Sequence, residues 1–321
     1  FCIAVFITWY STWEAKDVHQ EYDFKVDTQR SSGVINHLKY LVLDLFSSFR
    51  IRAFRLHILI YIFSFTAMEV FGSVFTYYVV YCLSQDAAAV SGWLSIAAFA
   101  SVPGTYGFML LLNRLNMTPS AALRLSYSCI FLVLAFLFTV YLTKTEVPTL
   151  LFSAVFILLG AARSGLYYIP WNIYSFIPDI DEIVTQQRRE GIFAGVMVLT
   201  RKSTVAIAIM IIGLVLQESG FVKGSGAQPE SALGAIIGLM IFATAALLAV
   251  SFFATYKFKL TRETHKVLLK EIARRKLGGD YRDCDASTRV VIKQLTGYEY
   301  DQVWGGDATR LAVGENLSTV K

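Results

Sequence analysis

The stretch SALGAIIGLMIFATAALLAVSFFATY, residues 231–256, contains no charged residue. A helix of about 20 apolar residues crosses the hydrocarbon core of a bilayer, so this stretch is long enough to span a membrane. Its apolar residues do not alternate with polar ones, as the strands of a membrane β-barrel would require. Five other stretches are also long and mostly apolar, and they are residues 54–83, 88–113, 121–142, 148–176 and 191–217. The sequence therefore predicts an all-α, polytopic membrane protein with six complete spans.

The composition agrees with a membrane protein and excludes several other classes. Of the 321 residues, 55% are hydrophobic and only 17% are charged, and the mean hydropathy is +0.52. A soluble domain rarely has this composition. The four cysteines lie far apart without a CxxC pair, so we predict no disulfide framework, zinc site or other cofactor. The net charge of +5 comes from basic residues beside the hydrophobic spans, so we predict no nucleic-acid binding.

Outside the six-helix bundle, which we place at residues 54–256, the sequence predicts three further regions. Residues 1–13 form an apolar run that is too short to cross a membrane. We interpret them as the end of a preceding transmembrane helix, in a chain that lacks its N-terminal half. Residues 14–53 are predicted to form a central loop with an amphipathic helix, because apolar residues recur there at a spacing of three and four. Residues 257–321 form a tail.

Lys and Arg residues are concentrated on one side of the predicted bundle. The central loop, alternate loops of the bundle and the tail hold nearly all of them, which places these segments in the cytoplasm. We therefore predict a multi-pass protein of the cell inner membrane with a cytoplasmic C-terminal tail. In and before that tail we predict helices at residues 256–276 and 285–295. We interpret their basic residues as a solvated anchor at the lipid headgroups rather than as a partner site.

Three charged residues fall near the middle of predicted spans: Glu69, Arg163 and Lys202, the last with Arg201 beside it. An isolated charge at the bilayer centre costs roughly 3 kcal/mol, so such groups normally face protein or a watery cavity and have a partner. They are therefore candidates for a working site, with an ion-pair network that only fixes helix register as the alternative. A polar stripe around Glu69 indicates a lined cavity, and its other members are Thr66, Ser73, Thr76 and Tyr77.

Aromatic and amide groups follow Arg163 along the fourth span. Arg163 and Tyr167 share a helix face, and the segment continues to Trp171 and Asn172. Aromatic rings beside a few directed polar groups suit a sugar, whose faces are apolar and whose rim carries hydroxyl groups. We therefore include these residues in a predicted substrate cavity. An anchor at the membrane interface is the alternative for Trp171.

Small residues and prolines indicate how the spans pack. On the fifth span we predict close helix packing around a buried ammonium, because one face carries Gly191, Gly195, Lys202 and Ala206. Two spans are predicted to be interrupted, with plain packing kinks as the alternative, at Pro103 with Gly104 and at Gly160 with Pro170. His57 is expected at the membrane interface rather than in a proton relay.

The stretch YYIPWNIYSFIPDIDEIVTQQRREG, residues 167–191, continues as IFAGVMVLTRKSTVA. It combines a proline-aromatic helix end, an acidic P-D-x-D-E cluster, an R-R-E-G turn and a lysine eleven residues past the glycine of that turn. This combination resembles the glycoside-pentoside-hexuronide:cation symporter family, the melibiose-permease-like branch of the major facilitator superfamily. The resemblance covers nearly the whole chain. It implies that the six complete spans correspond to helices seven to twelve of that fold, and residues 1–13 to the end of helix six.

The resemblance also implies roles for particular residues. Lys202 matches the helix-eleven lysine that the family places near its central cavity. A cytoplasmic signature loop that helps to hold the inner gate is matched by Asp179, Asp181, Glu182, Arg188, Arg189 and Glu190. We interpret this loop as one that pairs with the other half in one state and releases it in another, with a solvated turn as the alternative. The superfamily's D-R-x-G-R/K loop is represented only by the residues NRLN at 113–116 and by Arg124, so only an orientation is inferred from it.

The resulting prediction is cation-coupled symport, with sodium or proton, of a sugar or glycoside by alternating access and without enzymatic activity. The resemblance implies that the cation site and much of the sugar recognition lie on acidic residues of the N-terminal half. That half, the coupling cation, the sugar and membrane lipid are the expected partners. Two alternatives stay open: a lipid or lysolipid transporter in which Lys202 meets a headgroup phosphate, and a non-transporting membrane sensor whose tail binds a partner.

Overall fold

The computed structural model describes residues 47–144, 147–225 and 227–304, which form helices joined by short connections. In chain order the helices of these ranges are α1 (Arg52–Tyr77), α2 (Ala87–Asn113), α3 (Pro119–Thr143), α4 (Thr149–Tyr174), α5 (Ile177–Thr185), α6 (Glu190–Glu218), α7 (Glu230–Lys257), α8 (Arg262–Lys276) and α9 (Ala286–Thr296). Six of them, α1–α4, α6 and α7, are long and apolar enough to cross a membrane. The predicted all-α architecture and its six spans are thus confirmed. The predicted terminal helix at 1–13 and most of the predicted central loop lie outside the described residues.

Local capping explains where the spans begin and end. The Asp86 carboxylate accepts a hydrogen bond from the Ala88 amide before α2, and the Thr118 hydroxyl accepts one from the Ala121 amide at the start of α3. Such side chains satisfy amide groups that have no partner within the helix. Lys144 ends α3 in the left-handed conformation, at φ 48°. These caps leave short connections, which hold consecutive spans side by side.

Close approach between α2 and α4 depends on glycine. A Cβ on Gly160 would lie 2.0 Å from the Ala97 carbonyl oxygen, and one on Gly104 would lie 2.7 Å from the Ala161 Cα. Small residues at such crossings let helix backbones pack directly against each other. The predicted interruptions are wrong, because α2 and α4 run continuously through Pro103 and Pro170. The glycines serve packing instead.

Helix α1 lies at the centre of the bundle. In its most apolar window 67% of the residues are buried, against 11% for α2 and 6% for α6. Two buried hydroxyl groups on it or just after it are bonded to neighbouring spans: the Ser64 and Tyr127 hydroxyls lie 2.8 Å apart, and the hydroxyl of Tyr78, the residue after α1, donates to the Leu137 carbonyl at 2.8 Å. Buried polar groups are normally satisfied in this way. The central position of α1 makes it the scaffold on which the other spans are arranged.

Helix α6 leaves one face uncovered within the described residues. The side chains that it buries are Phe193, Val196, Met197, Ala208, Ile212 and Leu216. The opposite face includes Gly191, Gly195 and Lys202, all of which are exposed, and a Cβ on Gly191 would meet nothing within 4 Å. The predicted close packing around a buried Lys202 ammonium is therefore wrong for the part of the chain that the structure describes.

Residues 258–304, the C-terminal segment, fold back onto the bundle. The predicted helix at 256–276 is divided, because α7 ends at Lys257 and α8 begins after Thr261, whose side chain and that of Thr264 cap it reciprocally. The second tail helix was predicted at 285–295 and is α9. The segment packs through its apolar side, because four apolar side chains of α8 and α9 are buried: Leu268, Ile272, Ile292 and Leu295. The lipid-headgroup role of its basic residues stays a prediction.

A buried polar cluster fastens α8 to the end of the C-terminal segment. The Glu271 carboxylate accepts hydrogen bonds from the Arg274 guanidinium at 2.8 and 3.0 Å and from the Tyr300 hydroxyl. Burial alone would raise the pKa of Glu271, but the hydrogen bonds from Arg274 and Tyr300 bring it below its ordinary value. Burial, together with the bond to Glu271, raises the pKa of Tyr300. The C-terminal segment therefore has polar contacts of its own as well as an apolar core.

Candidate functional site

The bundle brings together several of the charged residues that lie near the middle of its spans. Glu69 of α1 faces Arg201 of α6, with 3.6 Å between the carboxylate and the guanidinium, and each side chain is about one third exposed. On α4, Arg163 donates a hydrogen bond of 2.9 Å to the Tyr167 hydroxyl four residues later. Glu69 is therefore paired with neither Arg163 nor Lys202.

Lys202 points away from this ion pair. Consecutive residues of a helix are rotated by about 100°, so when Arg201 faces α1 its neighbour lies on another face. The Lys202 side chain is exposed, and its ammonium forms no ion pair with the residues that the structure describes. Near the middle of the spans, the described residues thus include three cations, Arg163, Arg201 and Lys202, and one carboxylate, that of Glu69.

Aromatic rings pack against the side chains of both mid-span arginines, Arg163 and Arg201. The Phe65 and Tyr167 rings meet edge to face with centroids 4.6 Å apart. The Arg201 guanidinium lies 4.6 Å above the Phe65 ring, and that of Arg163 lies 5.1 Å from the Tyr167 ring. Stacking on aromatic faces stabilises cations where water is scarce. We call Phe65, Glu69, Arg163, Tyr167 and Arg201 the mid-span cluster.

The row of aromatic contacts continues along α1 and α4. Tyr61 packs against Phe65 at 4.5 Å and against the edge of Trp171 at 6.0 Å, and Trp171 meets Tyr174 at 5.7 Å. Trp171 is 40% exposed and contacts Tyr61, whose ring packs against Phe65 of the mid-span cluster. The spacing of four residues places Tyr61, Phe65 and Glu69 on one face of α1.

The remaining predicted cavity residues lie at different depths. Thr66 is buried, Asn172 is half-buried, and Ser73 and Thr76 are exposed. The polar stripe on α1 is therefore not one continuous surface. Sequence reasoning missed Phe65 and singled out Lys202 rather than its neighbour Arg201. The spacing of four residues from Tyr61 to Glu69 was the available signal for Phe65.

The second group of candidate residues lies on and after α5. This stretch was predicted as a loop, and the structure corrects that prediction, because Ile177–Thr185 is a helix. All its residues are buried, including Asp179, Asp181 and Glu182, so the alternative of a solvated turn is excluded for these three acids, whereas Arg188 and Glu190 after the helix are exposed. Buried carboxylates need charged or hydrogen-bonding partners.

Arginine and histidine side chains supply partners for two of these acids. Arg189 holds Asp181 through two hydrogen bonds of 2.7 and 2.8 Å and also donates to the Ser47 hydroxyl at 3.0 Å. The Asp179 carboxylate lies 2.7 Å from Nε2 of His265 and 3.5 Å from Arg188. A bidentate arginine–carboxylate pair is among the stronger polar contacts in proteins.

Glu182 and the end of α5 contact the C-terminal segment. The Lys276 ammonium lies 2.5 Å from the Glu182 carboxylate, and the Trp304 amide donates to the Ile183 carbonyl at 3.0 Å. The His265 ring also stacks on Phe176 at 4.2 Å. His265 and Lys276 are three helical turns apart, so they lie on the same face of α8. Sequence reasoning missed both, although their shared face was visible in the sequence.

Among the described residues no group of three His, Cys, Asp or Glu side chains could hold a metal ion. The mid-span cluster offers aromatic faces and charged hydrogen-bonding groups, which can bind and orient a polar molecule. The α5 contacts offer ion pairs that can be exchanged.

Comparison with known proteins gives two results. A family model described as "MFS/sugar transport protein" matches residues 2–262. An uncharacterized symporter of Synechocystis sp. (strain ATCC 27184 / PCC 6803 / Kazusa) is 28% identical over 266 residues, which are 80% of this chain and 47% of the relative. The chain thus spans about half the length of the curated relative that it matches. Together with its six spans, the match over most of its length shows that this multi-pass membrane protein belongs to the MFS/sugar transport protein family.

Proposed function

We propose that the chain is one half of a secondary transporter that moves a sugar or glycoside together with a cation, sodium or proton. The family match and the symporter relative support transport, and the matched length supports a half. We further assign it to the glycoside-pentoside-hexuronide:cation symporters, on the signature at residues 167–191. In this proposal the spans form one wall of a central cavity in the inner membrane, with the C-terminal segment in the cytoplasm. Alternating access opens that cavity to each side in turn.

The mid-span cluster is the observation that carries the proposal. It places the Phe65 and Tyr167 rings beside two guanidinium groups at the depth of the bilayer centre. A sugar presents apolar ring faces to such rings and hydroxyl groups to the charged side chains. Glu69 and Arg201 are each about one third exposed, so both remain accessible to a ligand. Tyr167, Trp171 and Asn172 extend the binding surface along α4.

We assign Lys202 to coupling with the cation, because its ammonium forms no ion pair with the described residues of this half. A mid-span ammonium is costly unless it faces protein or a watery cavity. The exposed side chain of Lys202 is free to meet acidic residues of an N-terminal half, where the resemblance implies the cation site. An ammonium beside those carboxylates would compete with the coupling cation. In this proposal Lys202 responds to cation binding, and Arg163 and Arg201 respond to the sugar.

We assign the inner gate to α5 together with the C-terminal segment. The acids of α5 are held by groups that follow it in the sequence, including Arg189 before α6 and His265 and Lys276 on α8. Opening a gate requires partners that can be exchanged between states. The original hypothesis of pairing across to the other half is therefore extended. The C-terminal segment provides partners for Asp179 and Glu182 within this half.

The test is uptake by the full-length protein with single substitutions. Arg163→Ala and Lys202→Ala should each lower cation-dependent sugar uptake by about tenfold or more, because each removes a charged hydrogen-bonding group. Arg282→Ala and Lys223→Ala are matched controls, since both side chains are exposed outside the spans. They should leave uptake unchanged. If both mid-span variants transport like the wild type, the site assignment is wrong.

A lipid or lysolipid substrate is the second candidate, and the surface of α6 favours it. Lys202 is exposed on a helix whose surface also shows Val198, Leu199 and Met210 at 49, 58 and 59% exposure. A cation among exposed apolar side chains suits a headgroup phosphate with an acyl chain. Uptake of a labelled glycoside should be measured with excess lysolipid or excess unlabelled glycoside. Competition by lysolipid alone would replace the sugar hypothesis with this one.

A further inference from the structure

Two buried polar atoms in the described residues have no hydrogen-bond partner. They are Nε2 of His57 and the hydroxyl of Tyr61, in side chains whose residues are 1% and 0% exposed. They lie one helical turn apart on α1, and their rings are stacked with an interplanar angle of 12° and centroids 6.4 Å apart. His57 is thus packed inside the protein, and its expected depth at the membrane interface stays a prediction. Both groups need an explanation, because leaving a buried polar group without a hydrogen bond destabilises the folded state.

The hydroxyl groups of two other buried tyrosines in the bundle do have hydrogen-bond partners. The Tyr127 hydroxyl lies 2.8 Å from that of Ser64, and the Tyr78 hydroxyl donates to the Leu137 carbonyl at 2.8 Å. Tyr61 differs from these residues in its location rather than in its burial. A phenylalanine at position 61 would fill the same space without an unpaired hydroxyl. The hydroxyl is thus a cost to the fold, and such costs concentrate at functional sites.

Tyr61 lies at one end of the mid-span cluster. Its ring packs on Phe65 at 4.5 Å, and the Arg201 guanidinium, which pairs with Glu69, lies close enough to the Tyr61 hydroxyl for a weak polar contact but is not aligned for a hydrogen bond. Arg201 is about one third exposed, so a ligand that reaches it lies next to the Tyr61 hydroxyl. The Trp171 ring meets the Tyr61 ring edge to face, with the two ring centroids 6.0 Å apart. Trp171 is 40% exposed and therefore has room to move aside.

We infer that Tyr61 is a further substrate-binding residue, whose hydroxyl pairs with a hydroxyl group of the transported sugar. The inference rests on the proposed function. A neutral phenol both donates and accepts a hydrogen bond, which matches a sugar hydroxyl better than it matches a cation or a carboxylate. The stacked His57 ring positions the Tyr61 ring. Arg201 fixes the end of the ligand that lies beside the hydroxyl.

The conservative variant Tyr61→Phe separates binding from folding. In the full-length protein it should raise the KM for the transported sugar about five- to tenfold, the effect of losing one hydrogen bond, with little change in the maximal rate. Its unfolding temperature without sugar should be unchanged or higher, because no hydrogen bond in the described residues is lost. Tyr127→Phe is the matched control. It should lower the unfolding temperature and leave the KM unchanged.

The outcomes distinguish this inference from the proposed function. If the wild type transports sugar and Tyr61→Phe keeps the wild-type KM, the inference is overturned while the transport proposal stands. A lower unfolding temperature with an unchanged KM also overturns it, because the hydroxyl then has a structural partner. If the wild type transports no sugar, both fail together. A raised KM with undiminished stability supports the inference.

Discussion

Two adjacent arginines, Arg188 and Arg189, should differ sharply in what they contribute to stability. Arg189 is 12% exposed and holds Asp181, itself 1% exposed, through two short hydrogen bonds. Arg188 is 55% exposed and bonds at 2.6 Å to Glu190, which is 56% exposed. Its longer contact with Asp179 is backed up by His265. Replacing each arginine with alanine therefore compares a buried pair with an exposed one at neighbouring positions.

The expected magnitudes follow from burial. Arg189→Ala leaves the Asp181 carboxylate without its bidentate partner inside the protein, which should lower the free energy of unfolding by about 3–5 kcal/mol. Arg188→Ala removes an exposed pair and should cost under ~1 kcal/mol. Asp181→Ala should cost nearly as much as Arg189→Ala, and the double variant should cost less than the sum. The difference, the coupling energy, should be about 2–3 kcal/mol.

The assay is reversible chemical unfolding of the purified full-length protein in detergent, followed by tryptophan fluorescence. The four members of the Arg189–Asp181 cycle are compared with the four members of a cycle on Arg188 and Glu190. A large coupling energy for the first cycle and one near zero for the second is expected. Equal coupling energies would refute the assignment of Arg189 as the buried partner of Asp181.

Three further predictions concern packing, docking and pH. Gly160→Ala should destabilise the bundle by about 1–3 kcal/mol, whereas Gly213→Ala, at an open site on a span, should be neutral or stabilising in the same unfolding assay. His265→Ala combined with Lys276→Ala should speed amide hydrogen exchange throughout α8 and α9, and unchanged exchange would contradict docking on α5. Because the folded-state pKa of Glu271 is lowered, its contribution to stability is present above the ordinary carboxyl pKa and lost as pH falls through the folded value. The protection factors of the α8 amides, which are corrected for the intrinsic pH dependence of exchange, should therefore fall in acid, and Glu271→Gln should abolish that fall.

The spans could be predicted from the sequence because their signal is local. A long apolar run has to form a helix in a bilayer, whatever it packs against, since its backbone groups must be satisfied internally. The composition of residues 231–256 alone was enough to predict α7. The helix bounds also followed local signals, such as the turn at Gly297 that ends α9. This part of the fold needed no knowledge of tertiary contacts.

The pairing of side chains could not be predicted in the same way. Whether Arg201 or Lys202 faces Glu69 depends on the rotation of α6 about its axis, which is set by packing of apolar residues all along the helix. A glycine such as Gly160 is compatible both with an interrupted helix and with a close helix crossing, so the sequence could not distinguish these two structures. The acids at Asp179 and Glu182 were predicted to be solvated or to reach across to the other half. Their partners on α8, His265 and Lys276, lie 86 and 94 residues further along the chain.

Uphill sugar movement into sealed liposomes is the measurement on which the proposed function depends. Purified full-length protein is reconstituted, an inward gradient of sodium or of protons is imposed, and a panel of labelled sugars and glycosides is tested. One of the two gradients should drive a sugar above its external concentration, and an ionophore that collapses the gradient should abolish the accumulation. If every sugar only equilibrates, or none enters under either gradient, this chain is not half of a cation-coupled sugar symporter.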